Sequence, residues 1–503
     1  MVRRSKTPEL DQALDFLYRR INYEQVGKSQ THYPFRLGRM RRLVDALGLG
    51  HWLAPTGSNP SGSKTSGSSS SRSDPSGPES SRSNASGPRR PWVVHIAGTK
   101  GKGSVATMVQ SLLSQCGFRT GLYTSPHLHR LHDRFRIDGV SATDDELIEL
   151  TERLRECLRN DASLVESTFF ELTTAAALDH FARKRCDMVV CEVGLGGRLD
   201  STNVIQSDIC VITTLGLDHQ HVLGDDLESI AAEKAGILKP NVPVVSSTID
   251  AGPRRVIAET ARRVGCPALF LHDAFSCDWI PDADWGSQVT VCWGDHARWS
   301  FRLPLEGRHQ AENAAVALLA VQYGFRIMTH TRVDERKKND AWIAFGKPAT
   351  VQSAFDSALP EARLERYRAG GRQKVVIDAA HNPDSIAAMI DCLNRRAADH
   401  HKTVVFGTSQ DKDAAAMLGQ LAAFADHLVL TQYRGNPRFT PVETLALDVD
   451  KHPNLKVTRC ADAGEAMETA IQQTPNDGWV VVCGSFFLAA ELRNHPLLGH
   501  EKC

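Results

Sequence analysis

The chain has 503 residues, 41% of them hydrophobic and 23% charged, which is enough apolar side chain for two or three cores and excludes a small stapled scaffold. Lys+Arg and Asp+Glu both number 59, a balance that argues against a general polyanion binder and hence against nucleic acid as a partner, while leaving room for a local basic cleft. The twelve cysteines form no CxxC pair, residues 1–10 carry no apolar signal core, and no run approaches the roughly 20 apolar residues that span a bilayer. Free thiols in a cytoplasmic, reducing compartment are expected, with no membrane partner.

Residues 1–50 read as helical: Leu37, Met40, Leu43, Val44 and Leu47 recur at helical spacing, with Gly48 and Gly50 as a stop. Such a helix could pack on a nucleotide-binding core or face a substrate. Residues 55–90 differ. Of these 36 residues 14 are Ser, 5 Gly and 5 Pro, without one Val, Ile, Leu or aromatic. They cannot repay their ordering entropy and are expected to form a disordered surface insertion.

From Trp92 strands and helices alternate. Strands are predicted at 92–97, 120–123, 188–191, 210–213 and 242–245, with helices around 145–158, 169–184 and 226–235. That pattern predicts a doubly wound α/β domain with a mainly parallel sheet. Residues 270–305 are expected to add antiparallel strands. A second alternating block has strands at 374–377, 403–406, 427–430, 455–458 and 479–483 and helices at 384–396, 411–424 and 461–473. The fold class is thus α/β: a large P-loop ATPase-like domain, 1–345, followed by a smaller α/β domain, 346–503.

The first strand runs into His95-Ile96-Ala97-Gly98-Thr99-Lys100-Gly101-Lys102-Gly103-Ser104 and an amphipathic helix. Glycines let successive backbone N–H groups turn toward an anion, and the helix start adds its positive end. Lys102 can reach β- and γ-phosphates, and the Ser104 hydroxyl is placed to ligate Mg²⁺. The spacing is not the full GxxxxGKS, because Gly103 separates Lys102 from Ser104.

These residues and an ordered series of others resemble the folylpolyglutamate synthase/dihydrofolate synthase family of the Mur ligase superfamily. The series comprises Arg20-Ile21-Asn22-Tyr23; the phosphate loop, with Lys100 where the family usually has Asn; Thr124-Ser125-Pro126-His127-Leu128; Arg134-Phe135-Arg136; Thr168-Phe169-Phe170-Glu171; Glu192 to Asn203; Asp218-His219; Glu233-Lys234; His309-Gln310 with Asn313; Arg363-Leu364-Glu365; Asp378-Ala379-Ala380-His381-Asn382-Pro383; and Gly484-Ser485. The resemblance implies ATP-dependent joining of a carboxylate to the amine of L-glutamate, with dihydropteroate or reduced folates as acceptors and substrates in a cleft between the two domains.

It also implies roles. Gly98, Thr99, Lys100, Gly101, Lys102, Gly103 and Ser104 would hold ATP, with Asn313, Arg363 and Asp378 reaching it from across the interface. Ser104 and Glu171 would ligate a first Mg²⁺ and His219 a second; taken alone, Glu171 is equally a helix N-terminal acid and His219 a polar loop residue. Lys234 is expected to be carbamylated. Ser125, His127, Arg134 and Arg136 are assigned to the pterin side, the two arginines sharing one face of an extended stretch. Arg198 and Asp200 would line the cleft, Ser485 would bind substrate, and His381 would position the incoming glutamate or the phosphate. The expected catalytic set is Lys102, Lys234, Asp378 and His381, in a monomer able to build its site alone. Three other functions remain open: a folylpolyglutamate synthase without dihydropteroate activity, a cell-wall peptide ligase, and a nucleotide-dependent switch.

Overall fold

The computed structural model describes residues 7–22, 37–55, 90–295, 297–328, 334–370, 373–449 and 455–499. Tyr23 and nearly all of the Ser-rich segment lie outside the described residues.

The first sheet has eight strands, in the order Val140–Ser141, Phe135–Ile137, Thr120–Tyr123, Met188–Glu192, Trp92–Ala97, Ile209–Ile212, Val244–Ser246 and Ala268–Phe270. The last six run parallel and the first two add an antiparallel edge. Trp92–Ala97 is buried at every position, as a strand covered by helices on both faces must be. Helices Lys102–Gln115, Arg308–Ile327 and Pro348–Ser357 pack on one face. Pro8–Tyr18, Leu37–Ala46, Asp144–Asn160 and Phe169–Arg183 pack on the other. The alanine-rich helix Arg308–Ile327 is buried nearly all round, which its apolar circumference requires. The expected antiparallel strands are Ser276–Pro281, Ser287–Trp293 and Ala297–Leu303.

The second sheet orders Glu365–Ala369, Gln373–Ile377, Trp479–Cys483, Lys402–Phe406, His427–Leu430 and Lys456–Arg459, all parallel except the first pair. The boundary expected at 345/346 falls between two helices, Glu335–Phe345 and Pro348–Ser357, that both belong to the first core: Phe345, Val351, Ala354 and Phe355 are buried in it. The polar, Lys-rich composition between 330 and 350 suggested the boundary there, but the apolar residues of the two helices face inward. The chain enters the second unit at Ala362 and Leu364.

Ligands of open α/β sheets sit beyond the carboxyl ends of the strands, where strand order reverses. In the first sheet that point is the end of Trp92–Ala97, between Met188–Glu192 and Ile209–Ile212. In the second, the ends of Gln373–Ile377, Trp479–Cys483 and Lys402–Phe406 lead to Asp378, Gly484 and Gly407. Both sets of ends meet at one cavity.

Candidate active site

The cavity is about 870 Å³ and both domains line it. On the first-domain side lies the phosphate loop. Gly98 has φ 152°, and a Cβ there would stand 1.8 Å from Thr213 Oγ1. Gly101 has φ 83°, and its Cβ would stand 2.3 Å from Asn313 Oδ1. Only glycine fits either position. Thr213 Oγ1 donates to the Lys100 carbonyl at 2.6 Å, and the Thr99 and Lys100 amides donate to Thr214 O, so the loop is clamped before the helix begins at Lys102. Thr99, Lys102, Gly103, Ser104 and Asn313 line the cavity. Ser104 is buried and its Oγ has no hydrogen-bond partner.

Lys234 lies beneath this loop, buried, with Nζ donating to Gly98 O at 2.8 Å. Burial, helped by the Lys102 charge, lowers its pKa to about 7. Glu192 is also buried, at the end of its strand. Its Oε2 accepts the Ser125 amide at 3.1 Å, and both carboxylate oxygens come within 3.7 Å of where a Gly103 Cβ would sit. Desolvation pushes its carboxyl up against the pull of Lys102.

Three expected site residues are placed differently. Glu171 lines the cavity but is already engaged: Arg39 Nε lies 3.0 and 3.1 Å from its two oxygens, Arg39 Nη2 donates at 2.8 Å, and the Thr168 amide donates at 2.8 Å to Oε2. Glu171 also makes the helix-start contact, with Thr168 as reciprocal N-cap. Arg134 closes a 3-10 turn, Leu131–Arg134, instead of alternating with Arg136 along a strand. It is fully buried over the Phe169 ring and donates from Nε to His127 Nδ1 at 2.9 Å, so it orients His127 and does not line the cavity. Arg198 is outside the cavity lining and pairs with Glu233 at 2.7 Å. Its backbone packs against Gly236, where a Cβ would meet Arg198 Cβ at 2.3 Å, and its side chain turns outward.

Ser125, His127 and Arg136 line the cavity, Arg136 facing Glu361 at 3.6 Å. Asp200 lines it too, buried, its carboxylate accepting the Gly194, Leu195 and Thr202 amides and so fixing the glycine loop. His219 is the left-handed residue before the helix Gln220–Leu223 and faces the cavity. From the second domain, Asp378 accepts the Leu364 and Ala380 amides at 2.7 Å each, with Arg363 close enough to oppose the rise in its pKa that burial causes. His381 anchors Nδ1 on Ala379 O at 2.8 Å and presents Nε2 3.8 Å from Asp218. Ser485 caps the last helix and lines the cavity with Ser409 and Lys412.

Residues 96–321 match the model of the Mur ligase middle domain, and residues 362–486 match the Mur ligase glutamate ligase domain. Folylpolyglutamate synthase of Lacticaseibacillus casei is 32% identical over 81% of this chain and 90% of its own. The chain belongs to the folylpolyglutamate synthase/dihydrofolate synthase family. Dihydrofolate synthase/folylpolyglutamate synthase of Bacillus subtilis is 29% identical over 79% of the chain and 89% of its own. Among solved structures, Mycobacterium tuberculosis folylpolyglutamate synthase complexed with ADP superposes with a TM-score of 0.77 at 27% identity, over 98% of this chain and 99% of that one. Escherichia coli FolC in complex with DHPP and ADP gives 0.74 at 25% identity, over 97% of each chain.

Within this family site, sequence reasoning passed over Glu192, Asp218, Arg39 and Asp384. Glu192 and Asp218 stood inside quoted motifs without a role. A carboxylate ending a buried strand was the available signal for Glu192. Arg39 carried none, because its partner is 132 residues away.

Proposed function

We propose that this chain is a bifunctional ligase that joins L-glutamate to dihydropteroate and extends glutamyl folates, using ATP. The observation that carries the reading is the shared cavity: a clamped phosphate loop with Lys102 and Ser104 on one wall, and Asp378, His381, Lys412 and Ser485 on the other. A carboxylate oxygen is a poor leaving group. Transfer of the γ-phosphoryl of ATP to the acceptor carboxylate gives an acyl phosphate and ADP; attack by the glutamate amine then gives the amide and releases phosphate.

The chain's own groups suit each step. Backbone N–H groups at the start of the helix Lys102–Gln115 and the Lys102 ammonium take the phosphate charge. Arg363 and Asn313 approach the nucleotide from the two walls. The apolar end of the cavity, with Leu37, Met40, Phe170 and Leu195, suits the flat ring of the acceptor, and Arg136 with His127 suits its carboxylate end. His381, tethered through Nδ1, positions the incoming amine. Closing the two walls excludes the water that would hydrolyse an acyl phosphate.

The donor set fits Mg²⁺. Ser104 offers an unpartnered buried hydroxyl, Glu192 a buried carboxylate beside the phosphate loop, and His219 a nitrogen facing the same space. An Mg²⁺ ion held largely through phosphate and water needs few protein donors. Bound there, Mg²⁺ would neutralise the phosphates. Glu171 is left out of this set because Arg39 and the Thr168 amide already engage its two oxygens. Lys234, buried with its pKa lowered to about 7, has the neutral amine that carbamylation needs, and the resulting anion would offset the surrounding cations. A single chain supplies both walls, so a monomer suffices. The free thiols among the described residues support a cytoplasmic setting, and none of the described helices is long and apolar enough to cross a membrane.

The test is a ligation assay with ATP, Mg²⁺ and L-glutamate, each product identified by mass. Glutamate addition is expected on both dihydropteroate and a reduced monoglutamyl folate. Addition to the folate alone would reduce the function to folylpolyglutamate synthesis, and ATP hydrolysis without amide would reject the ligase.

A further inference from the structure

Two lysines cross the cleft in opposite directions. Lys412 of the second domain reaches Asp218 of the first at 2.6 Å, with both side chains largely buried. Lys100 of the first domain reaches Asp384 of the second at 2.5 Å. Pairs of reversed polarity fix one register of approach, because a slipped arrangement would set like charges together.

The Lys100 pair sits at the lip of the phosphate loop. The Lys100 backbone is held on both sides, its amide by Thr214 O and its carbonyl by Thr213 Oγ1, so only the side chain can move. Asp384 lies in the first turn of the helix Pro383–Ala397, three residues after His381. Lys100 Nζ and Asp384 Oδ2 each come within 3.2 Å of where a Gly216 Cβ would stand, so the pair lies over a bare stretch of backbone and line the same cavity as Lys102 and Ser104. An ammonium at that place has two possible anionic partners, the Asp384 carboxylate and a nucleotide phosphate.

We propose that Asp384 is a positioning residue that holds Lys100 in the ligand-free enzyme and competes with nucleotide phosphate for it. Nucleotide binding then exchanges an interdomain ion pair for a lysine–phosphate contact. The inference rests on the proposed ATP site. The Asp384 side chain is 65% exposed, so the competition is modest and salt-sensitive.

The experiment is calorimetric titration of the full chain with ADP, at low salt and at high salt, for the wild type, Asp384→Asn, Lys100→Asn and the double variant. An exposed pair of this kind is worth about a threefold change in affinity. Asp384→Asn is expected to tighten ADP by that factor at low salt, and the gain should vanish at high salt. Lys100→Asn should weaken ADP, and in that background Asp384→Asn should lose its low-salt gain, which a merely structural role at the helix start would not produce. Thermal melts of all four proteins establish that each is folded. Unchanged or weaker ADP binding by folded Asp384→Asn overturns the inference, as does an equal gain with and without Lys100. No ADP binding by any of the four would instead overturn the nucleotide site itself.

Discussion

Removing the Glu171 carboxylate separates two roles that the sequence could not. The Glu171 and Arg39 side chains are only 7% and 11% exposed, and three guanidinium contacts join them. Glu171→Ala leaves Arg39 buried beside the cavity without that partner, and it deletes the acceptor of the Thr168 amide. Breaking a buried pair from one side costs about 3–5 kcal/mol. At about 2 °C per kcal/mol for a domain of this size, the first-domain melt should fall by roughly 6–10 °C. Arg39→Ala should fall comparably, and the double variant by less than the sum, since the pair is lost only once. Calorimetric melts measure this, and Mn²⁺ titration in the presence of ADP supplies the second axis. Glu171→Ala should keep Mn²⁺ affinity near that of the wild type, whereas Glu192→Gln should weaken it at least tenfold, since it removes a charged donor. Melts of Glu171→Ala that match the wild type, with Mn²⁺ binding lost, would refute the reasoning and return Glu171 to the metal.

Lys234 should take up labelled CO₂ as a carbamate visible by carbon NMR. With its pKa lowered to about 7, the amine is free to react above that pH and protonated below it, so the signal should be present at higher pH and decline as pH falls through 7; a signal independent of pH, or one that survives Lys234→Arg, would count against the site. Replacing residues 56–89 by a short Gly/Ser linker should leave melting and ligation within error of the wild type. Both flanks are tied to the same stretch, Ala54 through Val204 O and Arg90 through Gln206 O and Asp208, so a short bridge suffices, and a large loss of either property would show that the segment takes part in folding or catalysis.

The architecture was legible because its strands are buried on both faces. Trp92–Ala97, Met188–Glu192, Ile209–Ile212 and Trp479–Cys483 are short apolar runs set between amphipathic helices, a pattern few other folds produce. The boundary expected at 345/346 marks the limit of that pattern. The stretch 334–347 is polar on its exposed side, and only tertiary contact decides whether Phe345 belongs to a linker or to a core.

The site was legible where one local segment carries a function and illegible where partners are remote. Gly98, Gly101, Lys102 and Ser104 form one loop, and their spacing already implied an anion. Arg134 and Arg136, two residues apart, were expected to share a face, but that holds only in a continuous strand, and the strand begins at Phe135. Arg198 stands in a glycine-rich turn whose outward direction depends on Gly236, 38 residues on. Glu171 is the sharpest case. An acid at a helix start can serve metal, backbone or a distant guanidinium, and here a guanidinium on Leu37–Ala46 that no spacing connects to it reaches both its oxygens. The contacts between the two domains are remote in the same way: Lys100 with Asp384, and Asp218 with Lys412 and His381, join segments more than 160 residues apart. Such contacts exist only once the two sheets have brought their carboxyl ends together at one cavity, which is the arrangement the proposed transfer from an acyl phosphate to an amine requires.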